Sequence, residues 1–351
     1  MSGAKQIPED GRRPRRLSRR SFLGLSVLAG VGAGVAVAQA AAGPIDPLTS
    51  LGWAVRGETA RLIGKPAQVA LGQCASYGPE TKDCLADLWR RAGMPDVAGK
   101  RVLVKPNLVD TIDGHPTTTA PEVIGAVLDV LRDLGVGEVV VGEGPAFRRE
   151  AWPIVENCGL AAVLARRNVP FVDLNYDDPR PVPARDGWLR QSAEIWLPRH
   201  VREAQLIVSV PKLKTHHWAT VSLSLKNLFG IVPGACYGWP KNMLHLNGVA
   251  YSILGLYQTI RPMVSVIDGI VGMEGDGPLF GRPVPHGLLA VGADPVAVDI
   301  TCARAMGFGL EAVEYLRMAA WAGLGEGSHI EILGAPLERL QRHYEAPPSA
   351  A

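Results

Sequence analysis

Short apolar runs recur along the chain and alternate with amphipathic stretches. Each is rich in β-branched or aliphatic residues, and they cover residues 69–71, 102–104, 139–141, 206–210, 264–267 and 288–291. Continuous apolar runs of this length are typical of buried parallel strands. They predict the strands of a central sheet, with helices in the segments between them.

Two of these helices are marked by their ends. The first is predicted to begin at an N-cap, Thr119, and to end at Gly135, and the second begins at Asp294 and ends near Gly307. Strands that alternate with helices in this way predict an α/β fold, with a mostly parallel sheet flanked by helices.

The α/β pattern extends over residues 67–334, and a proline-rich segment, residues 177–185, interrupts it. Proline clusters between periodic segments are typical of connections. One arrangement is therefore two α/β lobes, residues 67–176 and 186–334, around a cleft. Residues 335–351 are predicted to form a C-terminal tail.

Residues 1–42 have the pattern of an export signal. Basic residues crowd the start, and no charge occurs from residue 21 through residue 45. Arg19 and Arg20 resemble a twin-arginine motif, so we expect a twin-arginine signal peptide, the twin-arginine translocation machinery as a partner and a periplasmic or other extracytoplasmic location. Residues 43–66 are predicted to be a linker. The alternative is an uncleaved membrane anchor, since about 20 apolar residues span a bilayer.

Charge and cysteine content narrow the function. Seven of the 36 basic and two of the 34 acidic residues lie before residue 43, which leaves 29 basic against 32 acidic residues. We therefore expect no nucleic-acid partner, and membrane contact only through the signal. The cysteine spacing does not support a cysteine-ligated iron–sulfur cluster. Cys74 and Cys84 are either paired across a short loop or, like the other cysteines, buried free thiols.

Two loops that follow predicted strands carry candidate ligand-binding residues. The first contains Lys105 and Asn107, and the second contains Gly142, Glu143 and Gly144. Ligands of parallel α/β sheets collect outside the carboxyl ends of the strands, where a lysine and an amide can bind an anion. Glycines allow a ligand to approach the backbone. The alternatives are a solvated lysine and a tight turn with Glu143 in solvent.

Residues 209–234 are the most informative stretch. If the chain stays extended, the two-residue period of a strand puts Lys212, Lys214 and His216 on one face. Three such groups repel one another unless an anion or a carboxylate lies opposite. Lys226 and Asn227 follow within an apolar run. The alternative is a solvated edge strand, which lysines protect from aggregation.

A fourth loop is rich in carboxylates and glycines. Asp268, Glu274 and Asp276 follow a predicted strand and could ligate a divalent cation such as Mg²⁺ or Ca²⁺, with Asp268 and Glu274 as the candidate metal ligands. They could equally neutralise the lysines. Asp294 is interpreted as a helix cap, and Asp299, which lies in an apolar segment, is expected to have a buried partner.

Four strings of residues together resemble the domain of unknown function 362 family. They are KPNLV at 105–109, VPKLKTHHWATVSLSLKNLFG at 210–230, and DGIVGMEGDGP with GADPVAVD within 268–299. The resemblance implies an α/β domain and the frequent company of export signals or ferredoxin-like iron–sulfur modules. It implies no established reaction, and this chain lacks the ferredoxin-type cysteine clusters.

The leading functional hypothesis is an exported enzyme that binds a small anionic ligand in a cleft lined by lysine, histidine and carboxylate. His216, Lys212 and Lys226 are the candidate catalytic residues, with His245 as a second choice for the proton-exchanging histidine. The candidate substrate-binding residues are Lys105, Asn107, Lys214, Asn227, Gly142, Glu143 and Gly144. Two alternatives stay open, a redox or cofactor-handling protein that is exported folded and a non-catalytic anion-binding protein. No G-x-S-x-G or H-E-x-x-H motif occurs.

Overall fold

The computed structural model describes residues 47–190, 192–260 and 262–348. The predicted twin-arginine signal, residues 1–42, lies outside the described residues. The strands are β1 (Ala67–Gln73), β2 (Arg101–Pro106), β3 (Glu138–Glu143), β4 (Phe171–Asp173), β5 (Arg180–Pro183), β6 (Glu194–Leu197), β7 (Leu206–Val210), β8 (Lys212–His216), β9 (Thr220–Ser222), β10 (Met263–Glu274), β11 (Arg282–Gly292) and β12 (Ile330–Gly334).

The helices lie between these strands. They are α1 (Pro47–Ile63), α2 (Glu80–Arg91), α3 (Pro121–Asp133), α4 (Trp152–Asn157), α5 (Leu160–Arg167), α6 (Arg199–Glu203), α7 (Ser224–Asn227), α8 (Gly234–Tyr237), α9 (Asn242–Leu246), α10 (Val249–Ile260), α11 (Pro295–Ala305), α12 (Glu314–Trp321) and α13 (Leu337–Leu340). Short 3-10 helices cover Leu228–Ile231 and Leu310–Ala312. No helix among the described residues is long and apolar enough to cross a membrane.

A single ten-stranded sheet organises the fold in the order β12-β1-β11-β10-β7-β2-β3-β4, with β8 paired to β10 and β9 paired to β8. Most neighbours are parallel, and helices flank both faces, as predicted for an α/β fold. Side chains of one strand alternate between two cores: Leu103 lies in one, and its neighbours Val102 and Val104 lie in the other. The sheet is therefore buried on both faces.

The structure differs from the predicted arrangement of two lobes around a cleft. Strand β7, from the second predicted lobe, lies between β2 of the first lobe and β10 of the second. Because strands of both segments pair directly in one sheet, no cleft separates them. The expectation of a parallel strand at residues 288–291 is also wrong, since β11 is antiparallel to both β1 and β10. A short connection between β10 and β11 permits only a hairpin.

The ends of the described chain are packed onto the domain. Residues 47–63, predicted as part of a linker, form helix α1, and its Trp53 stacks on Trp188 with ring centroids 3.8 Å apart. Within the predicted tail, the buried Tyr344 hydroxyl lies 2.9 Å from Nδ1 of His286. Large aromatic surface drives both contacts, and the composition of a short segment does not reveal its tertiary partner.

The two predicted helices are present. Asp294 caps α11 as expected, since its side chain accepts hydrogen bonds from the amides of Val296 and Ala297. Helix α3 has no side-chain cap and begins after Ala120. The Thr119 hydroxyl instead donates to the Val210 carbonyl. It thereby ties the start of α3 to the end of β7, a contact between distant segments that the local pattern could not show.

Candidate functional site

The carboxyl ends of β2 and β3 meet in a buried ion pair. Lys105 ends β2, and its Nζ donates to Glu143 Oε2 at 2.7 Å, to Asn227 Oδ1 at 2.9 Å and to the Pro106 carbonyl at 2.6 Å. All three ammonium protons are used, so Lys105 has no proton left for a ligand. Burial lowers the pKa of Lys105, and the charge of Glu143 opposes that shift.

Glu143 is the centre of this pair and does not lie in solvent. Its Oε2 also accepts from the Leu108 amide, and its Oε1 accepts from the Gly144 amide, each at 2.9 Å. Gly230 lies against the pair, because a Cβ built there would lie 1.9 Å from Glu143 Oε1 and 2.6 Å from Lys105 Nζ. The space that Gly230 leaves open therefore admits the ion pair.

Beside the ion pair lies a cavity of about 60 Å³. A water-sized group needs roughly 10–15 Å³, so the cavity accommodates about five such groups. Its polar walls come from strand β8, from the ends of other strands and the loops that follow them, and from α7, while Leu108, Phe147, Phe229 and Pro278 supply apolar walls. The predicted residues that line it are Asn107, Glu143, Gly144, Lys214, His216, Lys226 and Asn227. We call this cavity the lysine pocket.

Lys226 is the least satisfied charged group in the pocket. It lies on α7 with 8% of its surface exposed, its Nζ is 4.0 Å from the centre of the Phe229 ring, and it makes no hydrogen bond to any described residue. Burial, and then the charge of Lys105, lower its pKa to about 7. Near neutral pH this amine is therefore a mixture of charged and neutral forms, and the neutral form can accept a proton.

Lys214 is buried in the same pocket with a single hydrogen bond, from Nζ to the Thr117 carbonyl at 3.1 Å. Burial, followed by the charge of Lys226, holds its pKa well below the ordinary value. When an anion beside it favours the charged form, the Lys214 ammonium has two protons left for that ligand. Asn107 adds another open partner, because its buried Oδ1 has none among the described residues and its amide can present either end to a ligand.

His216 is suited to donating a hydrogen bond. The backbone amide of Trp218 donates to its Nδ1 at 3.1 Å, which requires Nδ1 to be unprotonated. Burial, and then the charge of Lys226, hold the pKa of His216 well below its usual range, so the ring is neutral and carries its proton on Nε2. The Nε2–H group of His216 is therefore free to donate a hydrogen bond, and the exchange of protons by His216 stays a prediction.

The segment that supplies these side chains is also the part of the chain that matches known proteins. The profile described as "Domain of unknown function (DUF362)" matches residues 102–304, which include all the polar walls of the lysine pocket. The chain belongs to the DUF362 family. It is 33% identical over 204 residues to a thylakoid-associated protein from Synechocystis. That match covers 57% of this chain and 61% of the relative, so the chain spans less than two thirds of that relative's length.

Two solved structures are similar to part of the DUF362 chain. The lactate racemase apoprotein from Thermoanaerobacterium thermosaccharolyticum is 14% identical with a TM-score of 0.44, and the match covers 68% of this chain and 57% of the other. A protein from Thermotoga maritima is 12% identical with a TM-score of 0.32, covering 59% and 53%. Neither likeness bears on the reaction of this DUF362 protein.

Lys212 lies apart from the lysine pocket in a second polar cluster. Its Nζ donates to Asp268 Oδ2 at 2.6 Å and to the Tyr77 hydroxyl at 2.9 Å. Asp268 also accepts from Tyr77, at 3.1 Å, and from the amide of Ala120, at 2.8 Å. Lys212 and Asp268 therefore neutralise each other, which is the ion-pair alternative for this carboxylate.

Glu274 does not lie with Asp268. Asp268 lies in the middle of β10 and Glu274 at its end, and six residues of strand extend about 20 Å. Glu274 forms an exposed ion pair with Arg282 instead. Among the described residues, no three histidine, cysteine or carboxylate side chains are grouped to hold a metal ion. The predicted pair of metal ligands is therefore corrected: these two carboxylates do not share a site.

The predicted glycines have different roles in the DUF362 chain. Gly144 lines the pocket, but Gly142 does not, since a Cβ there would meet Leu103 and Leu174 at 3.0 and 3.1 Å. Gly142 therefore allows side chains to pack closely and does not admit a ligand. All five cysteines are free, including Cys74 and Cys84, and Cys236 is exposed.

Sequence reasoning missed one buried cation. Lys241 is fully buried, and its Nζ donates to the carbonyls of Gly144 and Phe229 at 2.6 and 2.9 Å. Burial lowers its pKa to about 7. It joins two loops that line the pocket. A single lysine in a turn-rich stretch gives no local signal, because such lysines are ordinarily solvated.

Asp299 supports the pocket from behind, and its expected buried partner is confirmed. Its two carboxylate oxygens accept from the amides of Ser224 and Leu225 at 2.9 Å each, which caps the start of α7. Burial raises the pKa of Asp299 to about 8. His245, the second candidate histidine, packs against Phe229 outside the walls of the pocket, with ring centroids 5.5 Å apart.

Proposed function

We propose that this DUF362 protein is an enzyme that binds a small anionic substrate in the lysine pocket and exchanges a proton with it through Lys226. The observation that carries the proposal is the pair of buried amines, Lys214 and Lys226, that face one cavity without a carboxylate partner among the described residues. A buried ammonium without a counter-charge is costly, so an anion that supplies the charge is bound favourably.

The other polar side chains that line the pocket can each bind part of the anion. Lys214 has two protons to spare, His216 has Nε2–H, and Asn107 has an open amide. These groups can hold the oxygens of a carboxylate or a phosphate. Lys226, with a pKa of about 7, is then the group that takes a proton from the substrate or returns one to it near neutral pH.

Lys226→Met tests the binding step, because methionine keeps the length of the side chain and removes the amine. Isothermal titration of small carboxylates and phosphates is expected to show at least a tenfold loss of affinity. Lys82→Met is the matched control, since Lys82 is exposed and paired with Asp133 on the surface. Binding by Lys226→Met that equals wild type would overturn the proposal.

Proton exchange separates an enzyme from a non-catalytic binding protein. The full chain is incubated in D2O with each anion that binds, and proton NMR follows loss of C–H signals and formation of products. We expect exchange or turnover with at least one ligand, and none with Lys226→Met. If every ligand that binds is recovered unchanged and unlabelled, the protein is an anion-binding protein.

We further propose export through the twin-arginine machinery, on the strength of Arg19 and Arg20 followed by an uncharged run. The Synechocystis relative is described as thylakoid-associated, which is a statement about that protein. Replacing both arginines with lysine is expected to keep the protein in the cytoplasm, as measured by cell fractionation. The mass of the exported protein distinguishes a cleaved signal from a retained anchor.

A further inference from the structure

Buried positive charge exceeds buried negative charge around the lysine pocket. Lys105, Lys214, Lys226 and Lys241 are buried there, and Glu143 is the buried carboxylate that pairs with one of them. Lys105 forms an ion pair with Glu143. Each of the other three ammonium groups lacks a carboxylate contact among the described residues and meets carbonyl oxygens or an aromatic ring instead.

The charged groups that surround the pocket do not remove this excess. Lys212 and Asp268 cancel each other. Asp173 is half-buried and its charge favours the charged form of Lys241, but one carboxylate cannot balance three buried amines, and its oxygens accept from the amides of Ala151 and Asn175.

The imidazoles around the pocket supply no negative charge either. His216 and His245 both have pKa values lowered first by burial, and His217, which packs against His216, is likewise a base. The pocket therefore has room for more than one negative charge from outside the protein.

We propose that the pocket takes a phosphate-type dianionic group and that its binding draws protons from water onto the pocket lysines. This rests on the proposed function, since it specifies the anion of the same site. The two negative charges of a dianion balance the positive charges of Lys214 and Lys226. A single carboxylate would balance only one of them.

The size of the cavity supports one compact group with two charges. A phosphate has five heavy atoms, and the volume of about 60 Å³ holds about five water-sized groups. Two carboxylates joined by carbon would need more space. Phe147 at the wall is 45% exposed, so the pocket reaches solvent there and an ester substituent can extend outwards.

Proton uptake follows from the state of the amines before binding. Lys226 lines the pocket and has a pKa lowered to about 7 by burial, so at pH 8 it is mostly neutral. A bound dianion favours the charged form and raises this pKa. The complex then holds about one more proton than the free protein at pH 8, whereas at pH 5.5 Lys226 is already charged and takes up none.

Sulfate is the probe for the test, because it carries two charges and does not titrate in this pH range. Isothermal titration of the full chain with sulfate at pH 8, in buffers of different ionisation enthalpy, measures the protons taken up. We expect about one proton per sulfate at pH 8 and close to none at pH 5.5. Nitrate and acetate, at equal ionic strength, are expected to bind at least tenfold more weakly than sulfate.

Nitrate or acetate binding as tightly as sulfate would overturn the proposal, and so would sulfate binding without proton uptake at pH 8. The proposed function would survive both if those anions still depend on Lys226, so the two failures are distinguishable. Lys226→Met is expected to lose most of the uptake, with Lys82→Met unchanged. If Lys226→Met does not fold, the measurements on the wild-type protein are sufficient to test the proposal.

Inorganic phosphate and methyl phosphate then distinguish the sources of the dianion. Methyl phosphate that binds within about threefold of phosphate supports the proposal and identifies a phosphate ester as the ligand class. Methyl phosphate that fails to bind, with phosphate retained, supports the proposal and identifies the free ion. Failure of both, with sulfate also unbound, overturns it.

Discussion

Two lysines of strand β8, Lys212 and Lys214, are two residues apart and have opposite surroundings. Lys212 meets Asp268 and Tyr77, which occupy its ammonium group and neutralise it. Lys214 meets one carbonyl and a cavity that it shares with Lys226. The same residue type in the same strand thus serves once as internal support and once as an open binding group. The presence of a carboxylate partner, and not burial, separates the two roles.

The largest expected effect comes from breaking the satisfied pair. Asp268→Ala leaves Lys212 buried without its partner and is expected to lower the free energy of unfolding by about 3–5 kcal/mol. Denaturant unfolding measures the change. The double variant Asp268→Ala with Lys212→Met should recover much of the loss, and equal destabilisation of single and double variants would contradict the pairing.

Gly230→Ala tests how tightly the Lys105–Glu143 pair is enclosed. A Cβ at residue 230 would clash with Glu143 Oε1, so we expect a loss of about 2–3 kcal/mol in unfolding free energy together with weaker anion binding. Gly309→Ala is the matched control, since no atom lies within 4 Å of a Cβ built at that position. Similar stabilities for the two variants would show that the pair has room to move.

Asp299→Asn tests the support behind Lys226. An asparagine has one carbonyl oxygen where the aspartate accepts from two amides, so we expect a loss of about 1–2 kcal/mol in unfolding free energy. Anion affinity should fall as well, because α7 carries Lys226 into the pocket. An unchanged affinity in a folded, destabilised variant would limit Asp299 to a role in stability.

Lys226→Met is expected to have the smallest effect on stability, and of the opposite sign. The folded pKa of Lys226, about 7, lies below its ordinary value of 10.5, so between these values the unfolded chain holds more protons than the folded one. The destabilising contribution of Lys226 is complete below pH 7 and is lost as pH rises towards 10.5. Lys226→Met should therefore gain about 1 kcal/mol at pH 6 and less at pH 9. Denaturant unfolding at both pH values measures this, and a loss of stability at pH 6 would contradict it.

The local parts of the fold and of the site could be predicted from the sequence. Apolar runs predicted the strands. The two-residue period placed Lys214 and His216 on one face, and both line the pocket, whereas Lys212, predicted on the same face, pairs with Asp268 instead. Pairing between distant segments could not be predicted. The assignment of Lys212 to Asp268, of Lys105 to Glu143, and the burial of Lys241 depend on which strands become neighbours. A charged residue gives the same local pattern whether its partner is a carboxylate, a carbonyl or a ligand.

Strand β1 is formed early in synthesis, yet its two neighbours are β11, residues 282–292, and β12, residues 330–334. Until those residues leave the ribosome, the backbone donors and acceptors of β1 have no partner on either side. An unpaired strand of this kind invites association with other chains. We therefore expect a chain that ends before residue 330 to expose one edge of β1 and to associate more readily than the full chain.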